Sequence, residues 1–270
     1  MSNSQDARFI SQYGPWALVA GASEGLGAAF AVELARRGLN VFLLARRAEL
    51  LLPLAARLES EFKIQARTAA IDLSDPALAD KAVAATKGLE IGLLVYNAAH
   101  SNVGPFLATP LSKQLLTIDV NCRGPLILSH VYGTEMASRK RGGILLMTSI
   151  AGSQGSPFIA TYAASKAFNL VLGESLWDEL RTRGVDVLAC RAGATRTPNY
   201  EDTKPTTDQA PVMEPEAVVL QALNALGRGP SVVTGGFNKM ATFFLGRLFP
   251  RRAAIRTMGR AMRKMYGFPE

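Results

Sequence analysis

Short apolar runs alternate along the chain with longer segments of helical periodicity. Trp16–Ala20 and Asn40–Ala45 read as buried strands, and Ile64–Ile71, Ile91–Tyr96, Gly143–Ser149 and Val185–Arg191 continue the series. Leu26, Phe30 and Leu34 share one helical face within Gly25–Arg37, and helices are predicted over Ala48–Phe62, Asp75–Lys87, Leu111–Ser138 and Thr161–Arg183. Strands apolar along their whole length, each followed by a helix, need cover on both faces. The pattern therefore predicts an α/β fold, a Rossmann-type doubly wound parallel sheet with right-handed crossovers.

A polar, proline-containing stretch, Thr195–Pro215, interrupts the alternation and is long enough to be a lid candidate. A helix (Pro215–Leu226) and a strand (Ser231–Thr234) are predicted to follow. No repeat or linker divides the chain. Residues 1–235 are expected to form one domain, with 236–270 a basic amphipathic helical extension of it.

Charge sharpens that division. From Lys239 to Glu270 there are eight Lys/Arg and one acid, so +7 of the total +8 belongs to the extension and only +1 to the remainder. The body is thus not a nucleic-acid surface. In the extension, Met240, Phe244 and Leu248, then Ile255, Met258, Met262 and Met265, recur at helical spacing, and Arg251, Arg252, Arg256, Arg260 and Arg263 interleave with the second set. Three readings stand open: a terminal helix with a solvated basic face, a roof over a pocket or a partner contact, and a membrane-surface contact through 243–266.

The N-terminus has no apolar run or cleavage pattern, and nothing approaches the ~20 apolar residues of a spanning helix, so a cytoplasmic protein is expected, with peripheral membrane attachment as the alternative. Cys122 and Cys190 lie in apolar segments and read as reduced thiols. With His100 and His130 they offer no metal-ligand spacing, and no metal site is expected. His130 reads as structural; His100, which follows the Asn97–Ala99 turn, reads as structural or as facing the pocket.

The first predicted strand runs into Gly21, Ala22, Ser23, Glu24, Gly25, Leu26 and Gly27, which open the next helix. Glycines there permit a tight turn and close approach of a pyrophosphate to free N–H groups at the helix start. The second strand ends in Arg46 and Arg47, where a carboxylate would bind the ribose hydroxyls of NAD. Two guanidinium groups there favour a 2′-phosphate, and so NADP(H). Glu24, acidic and inside the loop, counts the other way.

Tyr162 and Lys166 stand four residues apart on a predicted helix, hence on one face. A nearby cation would lower the phenol pKa toward the range for proton transfer. Ser149 precedes Tyr162 by thirteen residues, at the C-terminal edge of the sheet where ligands bind.

These motifs resemble the short-chain dehydrogenase/reductase family over about residues 14–235, and the segment from Tyr13 to Asn40 is similar to members that act on hydroxysteroids or 3-oxoacyl thioesters. The resemblance implies a catalytic set of Asn121, Ser149, Tyr162 and Lys166, with Asn121 holding a water for proton relay. It places Asp72 and Leu73 at the adenine, Asn97, Ala98 and Ala99 where the family has Asn-Ala-Gly, and Gly193, Thr195 and Thr197 near the nicotinamide amide. Ala20, Ala99 and Ala192 depart from the family's threonine, glycine and proline without removing a catalytic group. The implied activity is NADP(H)-dependent interconversion of a carbonyl and a secondary alcohol on an apolar substrate. A homodimer or homotetramer through 111–138 and 161–183 is also implied. Of Phe106, Gln154, Phe158 and Tyr200, near the expected substrate mouth, two are expected to touch substrate. The competing readings are a cofactor-binding regulatory protein without turnover and a membrane-associated protein that uses the basic extension.

Overall fold

The computed structural model describes residues 3–202, 211–247 and 249–269; Leu248 and part of the Thr195–Pro215 lid candidate lie outside them. Among the described residues the elements are, in chain order, α1 (Asn3–Tyr13), β1 (Trp16–Ala20), α2 (Gly25–Arg36), β2 (Asn40–Ala45), α3 (Ala48–Phe62), β3 (Ala66–Ala70), α4 (Leu78–Ala85) and β4 (Ile91–Tyr96). They continue with α5 (Leu111–Ile118), α6 (Gly124–Arg139), β5 (Gly142–Ser149), α7 (Ala160–Arg181), β6 (Val185–Ala192), α8 (Pro198–Asp202), α9 (Pro215–Ala225), β7 (Ser231–Val233), α10 (Gly236–Arg247) and α11 (Arg251–Tyr266). The strands form one parallel sheet in the order β3-β2-β1-β4-β5-β6-β7.

Strand alternation splits the core in two. Ala17 and Val19 of β1 face one layer with Phe30, Leu34, Leu51, Leu58, Val218 and Leu223 from α2, α3 and α9. Leu18 and Ala20 face the other, with Leu78, Leu128, Tyr132 and Met136 from α4 and α6. The winding direction reverses between β1 and β4, which opens a crevice at their C-terminal ends, where ligands bind in such sheets.

Three features differ from the sequence reading. The helix expected over Leu111–Ser138 is interrupted by a π-helical turn at Asp119–Arg123. Pro125 has no N–H to give the Asn121 carbonyl four residues back, and the Asn169 side chain donates to that carbonyl instead, at 2.8 Å. The helix expected from Asp75 begins at Leu78, because the Asp75 carboxylate caps a turn by accepting from the Ala77 amide at 2.8 Å. Finally, α1 was not foreseen. It closes the N-terminal edge of the sheet, with Phe9 and Tyr13 buried and the Tyr13 hydroxyl donating to Asp186 at 2.7 Å.

The extension forms two helices, broken at Pro250. On α11, Ala254, Gly259 and Met262 face inward, Gly259 against Pro157. Its end is clamped by Phe268 stacked on Phe158 with ring centres 4.5 Å apart and by the Arg263 guanidinium 5.3 Å from the Phe158 ring.

Candidate active site

A cleft of about 720 Å³ runs along the C-terminal ends of the central strands. Its floor at one end is the turn between β1 and α2. Gly21 has φ +85°, and a Cβ there would lie 2.7 Å from the Ala98 backbone. Ala20 O accepts from the amides of Asn97 and Ala98 at 2.9 Å, and Asn97 Nδ2 donates to Gly21 O at 3.1 Å. The turns after β1 and β4 are thus knitted into one surface. Gly27 does not reach the cleft. It lets α2 pack on the turn, since a Cβ there would meet Gly21 O at 1.9 Å. Ser23, Glu24, Gly25 and Leu26 line the cleft beside the α2 N-terminus, whose free N–H groups favour an anion.

The two arginines after β2 are not equivalent. Arg47 pairs with Glu24 at 2.8 Å and donates to Ser23 Oγ at 3.1 Å. Arg46 has no hydrogen bond or ion pair among the described residues, although its charge reaches Asp72 and His100. Partial burial acts against the Asp72 carboxylate. Two hydrogen bonds from Ser74 and the Arg46 charge outweigh it, and the group stays below the ordinary carboxylate range. Asp72, Leu73, Asn97, Ala98 and Ala99 line the same end. The amides at the α2 N-terminus, a guanidinium with no ion pair among the described residues and the lack of a carboxylate directly after β2 fit a phosphorylated dinucleotide.

The other end is formed where β5 meets α7. Ser149 closes β5, and its hydroxyl accepts from the Ala151 amide at 3.2 Å. Thr148 Oγ1 donates to Lys166 O at 2.7 Å, which holds α7 against β5. Tyr162 and Lys166 face the cleft one turn apart. Lys166 is buried, and Nζ donates to Met147 O at 2.8 Å. Burial lowers the Lys166 pKa to about 8, with the Cys122 thiol pulling weakly upward. Burial raises the Tyr162 pKa, opposed by a side-chain hydrogen bond with Ser149, and the Lys166 ammonium lies 5.7 Å from its ring centre.

Asn121 is tied by its side chain to the turn after β4 and to α7. It is fully buried and does not line the cleft. Its Oδ1 accepts from the His100 amide at 2.7 Å, while Nδ2 donates to His100 O and Ser165 Oγ, both at 2.9 Å. Through these bonds the Asn121 side chain fixes the turn after β4, and its main-chain carbonyl, which accepts from Asn169 Nδ2 at 2.8 Å, keeps a second lone pair. His100 lines the cleft, with Nδ1 3.0 Å from Thr117 Oγ1. Burial, then the charges of Arg46 and Lys113, keep it below the usual imidazole value.

Of the four proposed substrate contacts, only Tyr200 lines the cleft. Phe106 lies exposed on a short turn, Gln154 sits outside the cleft wall, and Phe158 is spent on the Phe268 and Arg263 clamp. Gly193, Thr195 and Thr197 do line it, and Thr197 closes over Gly25, where a Cβ would lie 2.9 Å from its methyl. The sequence reading missed Leu116, Ile159, Met265 and Tyr266 as cleft residues. For the last two, the signal was the apolar stripe through Met262 and Met265.

Residues 15–208 match the model of the short chain dehydrogenase family. The chain is 35% identical over 233 residues to a 7β-hydroxysteroid dehydrogenase of Clostridium sardiniense, covering 86% of this chain and 89% of that one. It is 37% identical over 226 residues to a very-long-chain 3-oxoacyl-CoA reductase of Pyricularia oryzae, covering 81% and 67%. Among solved structures, a 7β-hydroxysteroid dehydrogenase superposes with a TM-score of 0.87 at 32% identity over 92% of this chain and 98% of that one. A short-chain dehydrogenase from Sphingobium yanoikuyae in complex with NADPH gives 0.75 at 31% identity over 82% and 87%.

Proposed function

Because the chain belongs to the short-chain dehydrogenase family and is an oxidoreductase, we propose that it interconverts a ketone and a secondary alcohol on a bulky apolar substrate, steroid or 3-oxoacyl in type, with NADP(H). The observation that carries this reading is one cleft with Arg46 at one end and Ser149, Tyr162 and Lys166 at the other.

A bound nicotinamide supplies the hydride in reduction and accepts it in oxidation. The chain's residues bind, orient and move the proton. The Gly21–Leu26 turn and the α2 N-terminus hold the pyrophosphate, and Arg46 holds the 2′-phosphate. Asp72 and Leu73 would hold the adenine end, and Asn97, Ala98 and Ala99 would line the dinucleotide's site. Gly193, Thr195 and Thr197 receive the carboxamide end. Tyr162 Oη protonates the carbonyl oxygen in reduction and takes the proton back in oxidation. Its raised pKa keeps the phenol protonated at neutral pH, the form reduction needs. Ser149 donates a hydrogen bond to the oxygen as charge develops. Lys166 keeps N–H bonds beyond the one to Met147 O, and these are available to the nicotinamide ribose.

Leu116, Ile159, Tyr200, Met265 and Tyr266 give the mouth an apolar wall suited to a large substrate. Leu111, Leu115 and Ile118 of α5 are exposed beside Phe168 and Val171 of α7, which supports a homodimer or homotetramer through these helices. No described helix is long and apolar enough to cross a membrane, and we read the enzyme as acting in the cytoplasm.

The test is NADPH oxidation with ketosteroids, 3-oxoacyl thioesters and bulky ketones. Turnover of at least one, abolished in Tyr162→Phe, supports the reading. Tight NADPH binding with no turnover across all three classes contradicts it.

A further inference from the structure

The C-terminal helices carry two exposed features that the cleft does not use. On α10, Phe237, Met240, Phe243 and Phe244 follow one helical face and are each 45% to 55% exposed; Phe249, just beyond, is exposed as well. On α11, Arg252, Arg256, Arg260 and Lys264 recur every four residues along the outer face, all exposed. None of these four cations has a hydrogen bond or ion pair among the described residues, and 236–269 contains no Asp or Glu. Like charges four apart weaken a helix, and this ridge repeats that arrangement three times without a compensating acid.

The features belong to consecutive helices that touch each other. The Arg247 guanidinium lies 5.9 Å from the Phe243 ring centre, and a depression that starts at Pro250, directly after Phe249, is lined by Arg252, Arg256 and Arg260. Packing does not explain the ridge, since α11 already buries Ala254, Gly259 and Met262 on its inner face.

We propose that this face docks on an anionic lipid bilayer surface, with the α10 stripe in the interfacial zone and the α11 ridge against the headgroups. An exposed aromatic stripe beside unpaired arginines is the composition of an interfacial helix. A second copy is a poor occupant, because a two-fold contact would set the cationic ridge near itself. A nucleic acid or acidic protein would satisfy the ridge and leave four large apolar side chains in water. The contact is attachment, not crossing, since neither helix is long and apolar enough to span. If the substrate is apolar, as proposed above, docking also brings the helix that carries Met265 and Tyr266 close to the phase where such a molecule dissolves.

The test is co-sedimentation of the full chain with vesicles of phosphatidylcholine alone and of phosphatidylcholine with phosphatidylglycerol, at low and high salt. We expect binding to the anionic vesicles only, weakened by salt. Neutralising Arg252→Gln, Arg256→Gln and Arg260→Gln together should weaken it about a hundredfold, at about fivefold per basic residue near the surface. Phe243→Ser with Phe244→Ser should weaken it at least about tenfold and leave its salt dependence intact. Both variants alter exposed side chains, so near-UV circular dichroism and NADPH affinity should match wild type. Equal binding to neutral vesicles, no binding to anionic ones, or unchanged binding in both variants would overturn the proposal. An acidic protein or nucleic acid as the true partner would give the second of these outcomes.

Discussion

Glu24 and Arg47 form an ion pair of 2.8 Å at the rim of the glycine turn, which leaves the adjacent Arg46 as the uncompensated cation of the pair. Sequence alone weighted both arginines equally and set Glu24 against them. In the structure Glu24 neutralises one arginine and leaves the other. Arg47→Ala should therefore change NADPH affinity only a few-fold, and Glu24→Gln, which releases Arg47, should raise the preference for NADPH over NADH. Fluorescence titration checks both, and a large loss in Arg47→Ala would reverse the assignment.

Tyr162→Phe removes only the proton donor. The expected result is a kcat lower by about 10²–10⁴-fold, the usual worth of a positioned acid, with NADPH affinity little changed. Similar kcat in the variant would move the proton transfer elsewhere.

Lys166 makes stability depend on pH in a defined direction. Its folded pKa of about 8 lies below the ordinary lysine value of 10.5. Between these the unfolded chain binds the extra proton, so wild-type stability rises with pH across that window. Below about 8 both states are protonated and the burial cost is paid in full. Urea unfolding of wild type and Lys166→Met at pH 7, 8.5 and 10 should show wild type gaining on the variant as pH rises. Parallel pH profiles would mean that Lys166 is not desolvated. Tyr162, raised above its ordinary value, contributes oppositely and only above about pH 10.

Asn121 is a positioning residue. Asn121→Asp keeps the acceptor for the His100 amide but cannot donate to His100 O and Ser165 Oγ. Leaving buried polar groups unpaired costs about 1–3 kcal/mol each, so a lower Tm is expected. Because the turn it holds lines the cleft, NADPH affinity should fall with it, and an intact Kd at lowered Tm would confine the residue to stability.

Phe268→Ala breaks the stack on Phe158 and loosens the end of α11. Since Met265 and Tyr266 wall the mouth, KM for bulky substrates should rise several-fold while NADPH affinity holds. An aromatic pair of this kind is worth about 0.5–1.5 kcal/mol beyond its burial. Unchanged KM would exclude the extension from the substrate wall.

The central sheet was legible because its strands are buried on both faces and so appear as unbroken apolar runs; β1, β2 and β4 have the residue limits expected of them. That the turn after β1, Arg46, Ser149, Tyr162 and Lys166 would line one cleft was legible because each follows a strand end or rests on a short spacing in sequence. What periodicity did not reveal depends on contacts across the chain. The π turn at Asn121 had a sequence signal in Pro125, but its stability comes from Asn169, forty-eight residues on. Phe158 looked like a substrate contact because it follows β5, yet Phe268 claims its ring. Met265 and Tyr266 reach the cleft only because α11 folds back on Pro157.

The most direct measurement is titration of the protein with NADPH and NADH, in wild type and in Arg46→Ala. The account predicts tighter NADPH binding in wild type. In the variant that advantage should fall by about tenfold to a hundredfold, as for loss of a charge-assisted hydrogen bond, with NADH affinity unchanged. Equal affinity for the two dinucleotides in wild type, or an NADPH preference that survives the substitution, would contradict it.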